Sequence, residues 1–127
     1  MNVISPSVPN AASDPALGAL DGVHAVAVQS ADGALPLQGF APVTKSTAAA
    51  LTLGTPTAGL PSAGGNDGQT LTVCDTTGAA HTVTTATNKI NGSKHIATFG
   101  GTIGQFGTFR AYNGIWYLTS SSGITLS

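Results

Sequence analysis

The sequence predicts an all-β fold, a small sandwich or jelly-roll-like barrel preceded by an extended N-terminal arm. Three observations carry that prediction. Short runs rich in Thr, Val, Ile and aromatic residues recur from Asp67 to Leu118, each bounded by Gly, Asn or Asp, the pattern of strands joined by turns. Asn113-Gly114 stands between two apolar runs, and both residues tolerate the positive φ of a type I′ hairpin turn. Strong helix formers are scarce: the chain has no Glu, and its one Ala-rich run, Ala48-Ala49-Ala50, is flanked by Thr and followed by Leu-Thr-Leu.

Taken in order, residues 1–20 carry Pro6, Pro9 and Pro15, a spacing that forbids a helix and discourages a central strand. They read as an extended arm. Val3, Ile4 and Val8, together with Pro6 and Pro9, are its candidate contacts with a partner surface; a frayed terminus is the other reading. Residues 21–127 form a single β-domain. Residues 23–28 alternate, with Val26 and Val28 on the face of His24 and with Val23, Ala25 and Ala27 on the other. Asp32-Gly33 is a turn, and Leu35-Pro36-Leu37 is an edge element at best. Residues 44–53 hold a strand or two with Leu51 and Leu53 on one face, and residues 55–66 are a Pro/Gly-rich loop.

The C-terminal half is more regular. Gln69–Asp75 is a strand with Leu71 and Val73 inward and Cys74 as a small buried thiol. A turn at Thr76-Thr77-Gly78 leads to His81–Thr85, where Val83 aligns with His81 and Thr85. A loop at Asn88–Ser93, a strand at His95–Phe99, a break at Gly100-Gly101 and a strand at Gln105–Tyr112 lead into the last hairpin. Its two-residue loop sets Tyr112 opposite Ile115, Ala111 opposite Trp116, Arg110 opposite Tyr117 and Phe109 opposite Leu118. Opposed residues share a face. Phe109, Ala111, Trp116 and Leu118 therefore face the core, while Arg110, Tyr112, Ile115 and Tyr117 form a mixed face on which Arg110 can lie over Tyr117. Burying the large rings contributes several kcal/mol, at about 25 cal/mol per Å² of apolar area.

Composition narrows function. The chain has 127 residues, enough for one domain with a modest core. Its net charge is −1 and only 7% of residues are charged, against about a quarter in an ordinary soluble domain. Hydroxyls, glycine backbone or other subunits must therefore cover the surface. Four basic residues cannot track a phosphate backbone, which argues against nucleic-acid binding. No run is long enough to span a bilayer, and Met-Asn-Val-Ile-Ser-Pro lacks the basic start and apolar stretch of a secretion signal. Cys74 is the lone cysteine, so an intrachain disulfide framework is out of reach and synthesis in a reducing cytosol is expected.

Chemistry-bearing residues are thin. A Cys74–His81–Asp75 trio fails a geometric test, because neighbours on a strand point to opposite faces. There is no Gly-x-Ser-x-Gly elbow and no glycine-rich phosphate loop ahead of a helix. His81 and His95 could meet across paired strands, or one His could be repeated about a threefold, but the spacing matches no zinc pattern. His81 is expected instead to donate to a backbone carbonyl at a strand start. No catalytic residue, cofactor or metal site is assigned, and the chain reads as non-enzymatic. A small cell-wall hydrolase resting on His81 is the least supported of three readings.

The runs Thr47-Ala-Ala-Ala-Leu-Thr-Leu-Gly-Thr-Pro-Thr-Ala-Gly, Asp67-Gly-Gln-Thr-Leu-Thr-Val, Ala80-His-Thr-Val-Thr, Ala97-Thr-Phe-Gly-Gly and Ala111-Tyr-Asn-Gly-Ile-Trp-Tyr-Leu together resemble small structural proteins of tailed bacteriophages. They are similar in particular to capsid decoration (cement) and head-fibre proteins, over about Thr44 to Thr119. The resemblance implies a virion structural protein made in the host cytoplasm and bound to the capsid exterior. There it would bridge neighbouring major capsid subunits; a homo-oligomer is expected, with a trimer favoured and a dimer as the alternative. The alternative is a receptor- or carbohydrate-binding module of a head or tail fibre, with Arg110, Tyr112 and Tyr117 stacking on a sugar.

Overall fold

Apolar side chains alternate with Thr in the most regular runs, and such a run becomes a strand with one buried and one open face. Thr70–Asp75 shows it most cleanly, its residues alternating between half-buried and buried along the whole strand. The computed structural model describes residues 25–127. Among them nine strands occur: β1 (Gly33–Ala34), β2 (Gly39–Val43), β3 (Ala50–Thr52), β4 (Thr70–Asp75), β5 (Thr82–Thr84), β6 (Ile96–Phe99), β7 (Phe106–Tyr112), β8 (Ile115–Ser122) and β9 (Ile124–Leu126). A single 3₁₀ turn, Pro61–Ala63, interrupts the Pro/Gly-rich loop. The arm expected at residues 1–20 lies outside the described residues.

Of the two all-β forms the sequence allows, the molecule takes the sandwich. One sheet has the order β9-β6-β5-β3-β1 and the other β2-β4-β7-β8, and they pack face to face without closing into a barrel. The core between them holds Leu51, Leu53, Leu71, Val73, Val83, Phe99, Phe109 and Trp116, with Ile90 contributed by a loop. Local turn chemistry sets the C-terminal half. Asn113 and Gly114 take φ of 51° and 79°, and the β7–β8 register pairs Tyr112 with Ile115, Ala111 with Trp116, Arg110 with Tyr117 and Phe109 with Leu118, as the two-residue loop requires.

The pairing of the N-terminal half is not legible in the pattern. β1, β3 and β5 run parallel, as do β2 and β4. Parallel neighbours need a long crossover, and here each crossover is a strand of the opposite sheet. From residue 25 to Thr84 the chain alternates between sheets at every element, so that it winds as a flattened coil. The antiparallel β6–β9 region then closes the end of that coil.

Residues 25–29 extend the four-stranded sheet beyond β2, with parallel bridges Val26–Phe40 and Gln29–Val43. The sequence pattern overlooked β2, because Pro42 sits in its middle and proline breaks a ladder. Phe40 N donates to Ala25 O (3.0 Å) and Thr44 N to Gln29 O (2.9 Å), and the intervening step falls to Pro42, which has no N–H. The side chain of Gln29 fills the gap: its Nε2 donates to Ala27 O at 3.2 Å. Gln29→Ala should therefore cost about 1 kcal/mol, read from the urea midpoint, by leaving a half-buried carbonyl unpaired. Pro42→Ala in the same background restores a donor at that step and should recover most of the loss. If it does not, the amide is not substituting for the missing N–H.

At the other sheet's edge, Lys45 and Ala50 fasten the turn before β1. Lys45 Nζ lies 2.8 Å from Asp32 Oδ1, and Ala50 N donates to the same oxygen at 3.0 Å. The lysine hydrogen bond first, then the backbone one, holds the Asp32 carboxyl below its ordinary value.

Candidate functional site

Strand alternation carries Asp75 into the interior at the end of β4, where it is fully buried. Its Oδ1 accepts hydrogen bonds from Thr77 N (2.9 Å) and Gly78 N (2.8 Å), so the carboxylate closes the turn that follows it. His81, also fully buried, enters from the opposite sheet just before β5. Ala49 N donates to its Nδ1 at 3.0 Å, which puts the ring hydrogen on Nε2. Nε2 lies 3.2 Å from both Asp75 Oδ1 and Thr77 Oγ1, while the Thr77 hydroxyl donates to Lys45 O at 2.8 Å. The expectation that His81 donates to a backbone carbonyl is thus reversed: it accepts from a backbone amide, because the coil brings Ala49 alongside it. Asp75 Oδ2 has no hydrogen-bond partner among the described residues.

This arrangement ties one sheet to the other, and its geometry leaves Cys74 outside it. Cys74 lies on the opposite side of β4, half-buried rather than enclosed in the core as expected. Burial, and then the neighbouring Asp75 charge, raise its thiol pKa and keep it protonated and weakly nucleophilic. His81 and His95 do not converge either. His81 is level with Phe99 and His95 with Thr85, at opposite ends of the β5–β6 pair. The His81 ring packs edge-on to Phe99, with centroids 6.1 Å apart. No group of three His, Cys, Asp or Glu able to hold a metal occurs among the described residues.

The open face of the four-stranded sheet is the larger surface feature. One row across it reads Val26, Phe40, Thr72, Thr108 and Ser120, and the next Val28, Pro42, Cys74, Phe106 and Ser122. Neither row contains a charged side chain. Val26 and Val28 are 64% and 58% exposed, and Phe40 39%. Thr72 and Thr108 hydroxyls satisfy each other at 3.0 Å in the middle of the face.

At the opposite corner of the same face the mixed hairpin residues come together as expected. Arg110 and Tyr112 on β7 and Tyr117 on β8 project outward. With Gly68, Ala111 and Thr119 they line a shallow cleft of about 310 Å³. Two of its walls were not foreseen. Gly68, at φ 86°, comes from the loop before β4 and is held by its N–H to Ala111 O. Thr119 is the extra residue of a β-bulge that lies opposite Thr108 and Phe109, a distortion that re-aims side chains. The candidate contacts Val3, Ile4, Pro6, Val8 and Pro9 lie outside the described residues. A scan against known protein families finds no matching model, and a search of characterised proteins finds no match.

Proposed function

We propose that the protein is a non-enzymatic structural component of a phage virion that binds the outer surface of the capsid and cements neighbouring major capsid subunits. The observation that carries this reading is the uncharged part of the open face of the four-stranded sheet, away from the Arg110 corner, with Val26, Val28 and Phe40 exposed along one side. A surface without charge and with apolar side chains exposed along one edge suits a protein contact, and the near absence of charge on the chain suits a subunit of an assembly better than a free monomer. The strand and turn pattern similar to phage decoration proteins supplies the partner: the major capsid protein, with further copies of this chain in a homotrimer.

Mass spectrometry of gradient-purified particles should find the chain in fixed proportion to the major capsid protein. In a saturation assay on undecorated shells, Phe40→Asp should weaken binding by about tenfold or more, because a charge would be desolvated in the contact. Phe40 points away from the core, so the melting temperature should barely move. A few copies per particle, or equal binding by the variant, overturns the reading.

A further inference from the structure

We propose that the cleft between Arg110, Tyr112 and Tyr117 is a saccharide-binding site, selective for sugars that bear a carboxylate. This inference does not rest on the shell-binding proposal. The three side chains share one face because Arg110 is paired across the hairpin with Tyr117 and is two residues from Tyr112. Tyr112 and Tyr117 are diagonal neighbours, a relation that sets residues about 7–8 Å apart, and Arg110 is adjacent to both. Tyr112 is 61% exposed and Tyr117 39%, so ring surface is open to a ligand. An aromatic ring with a polar tip offers an apolar platform for the C–H face of a pyranose and a hydroxyl for its rim.

The cation gives the site its sign. Lys45 is neutralised by Asp32, whereas Arg110 makes no ion pair or side-chain hydrogen bond among the described residues. A guanidinium presents its donors in a planar fork that matches a carboxylate in two hydrogen bonds. Space for the ligand comes from the two unforeseen walls. Gly68 has no side chain, and a Cβ there would stand 3.9 Å from Arg110 Nη2, narrowing the approach to the guanidinium. The bulge adds Thr119 to the rim, its hydroxyl donating to Thr108 O at 3.3 Å and so keeping its lone pairs free to accept from a sugar hydroxyl. A volume of about 310 Å³ sits at the lower end of small-ligand sites. A hydroxyl-rimmed, aromatic-walled hollow whose guanidinium has no partner among the described residues favours an acidic sugar over the flat apolar contact that a protein partner would need.

The test is a backbone-amide NMR titration of the isolated protein with sialyllactose, digalacturonic acid, lactose and an Asp/Glu-rich peptide. Both acidic sugars should shift Gly68, Arg110, Tyr112 and Tyr117 in a saturable way, with lactose about tenfold weaker for want of the charge-assisted pair. Arg110→Gln should reduce the acidic sugars to the lactose level, and Tyr117→Ala should abolish binding of all three, each with an unchanged melting temperature. The site is overturned by lactose binding as tightly as sialyllactose, by no saturable shift with either acidic sugar, or by the peptide occupying the cleft more tightly than any sugar.

Discussion

Trp116→Ala is expected to destabilise the protein by about 3–5 kcal/mol, the usual cost of removing a large core aromatic. Its ring is fully buried, and three other features depend on its place. Its Nε1 donates to Gly54 O at 2.8 Å, its backbone N donates to Lys89 O at 2.8 Å, and Asn91 N donates to its carbonyl at 2.9 Å. The side chain therefore holds the loop after β3 on β8, while its backbone holds the loop that delivers Ile90 to the core. Against a total stability of about 5–15 kcal/mol, the loss would leave a marginal fold. Arg110→Ala, one step round the hairpin on the open face, should cost under about 1 kcal/mol. Urea unfolding of the two variants tests the face assignment directly, and equal midpoints would mean that the packing attributed to Trp116 is not there.

The second large effect belongs to the junction between the sheets. Asp75→Ala would strip the acceptor from Thr77 N, Gly78 N and His81 Nε2 at once. An unpaired buried donor costs about 1–3 kcal/mol; His81 Nε2 is buried and the two turn amides are half-buried, so a loss of about 3 kcal/mol is expected. Asp75→Asn keeps an oxygen at the Oδ1 position and the side-chain volume, and should cost about 1 kcal/mol. Denaturant midpoints separate the cases: if Asn and Ala unfold together, the hydrogen bonds to Oδ1 are not what holds the turn, and charge is.

Where a residue's environment is set by its near neighbours in the chain, it was legible beforehand. The β7–β8 register followed from Asn113-Gly114 and alternation alone, and with it the common face of Arg110, Tyr112 and Tyr117. Leu71, Val73 and Val83 point inward for the same local reason. What escaped depends on distant chain. β2 was hidden by Pro42, whose missing donor is compensated by a side chain thirteen positions earlier. That His81 accepts from Ala49 N, and turns its own N–H to Asp75 rather than to a backbone carbonyl, is hidden because nothing near it in sequence reveals which chain faces its ring. β9 was overlooked because three residues after Gly123, at φ 70°, give too short a run to read, and they leave β8 to join the other sheet. The cleft was half visible: its side chains follow from alternation, but Gly68 and Thr119 join it through a long-range backbone contact and a bulge.

The coil also gives the chain two unequal problems of self-assembly. Tyr112 and Ile115 are joined by two residues and can pair on the microsecond scale of a hairpin. Gly39 must find Leu71, and Leu51 must find Val83, each across about thirty residues whose closure entropy comes due before any contact offsets it. Non-local pairing of this kind slows folding. The strands with the slow partners precede the hairpin that closes the coil, and so leave the ribosome before it. The windings are therefore synthesised before the segment that pairs fastest, and their apolar edges wait exposed for that interval.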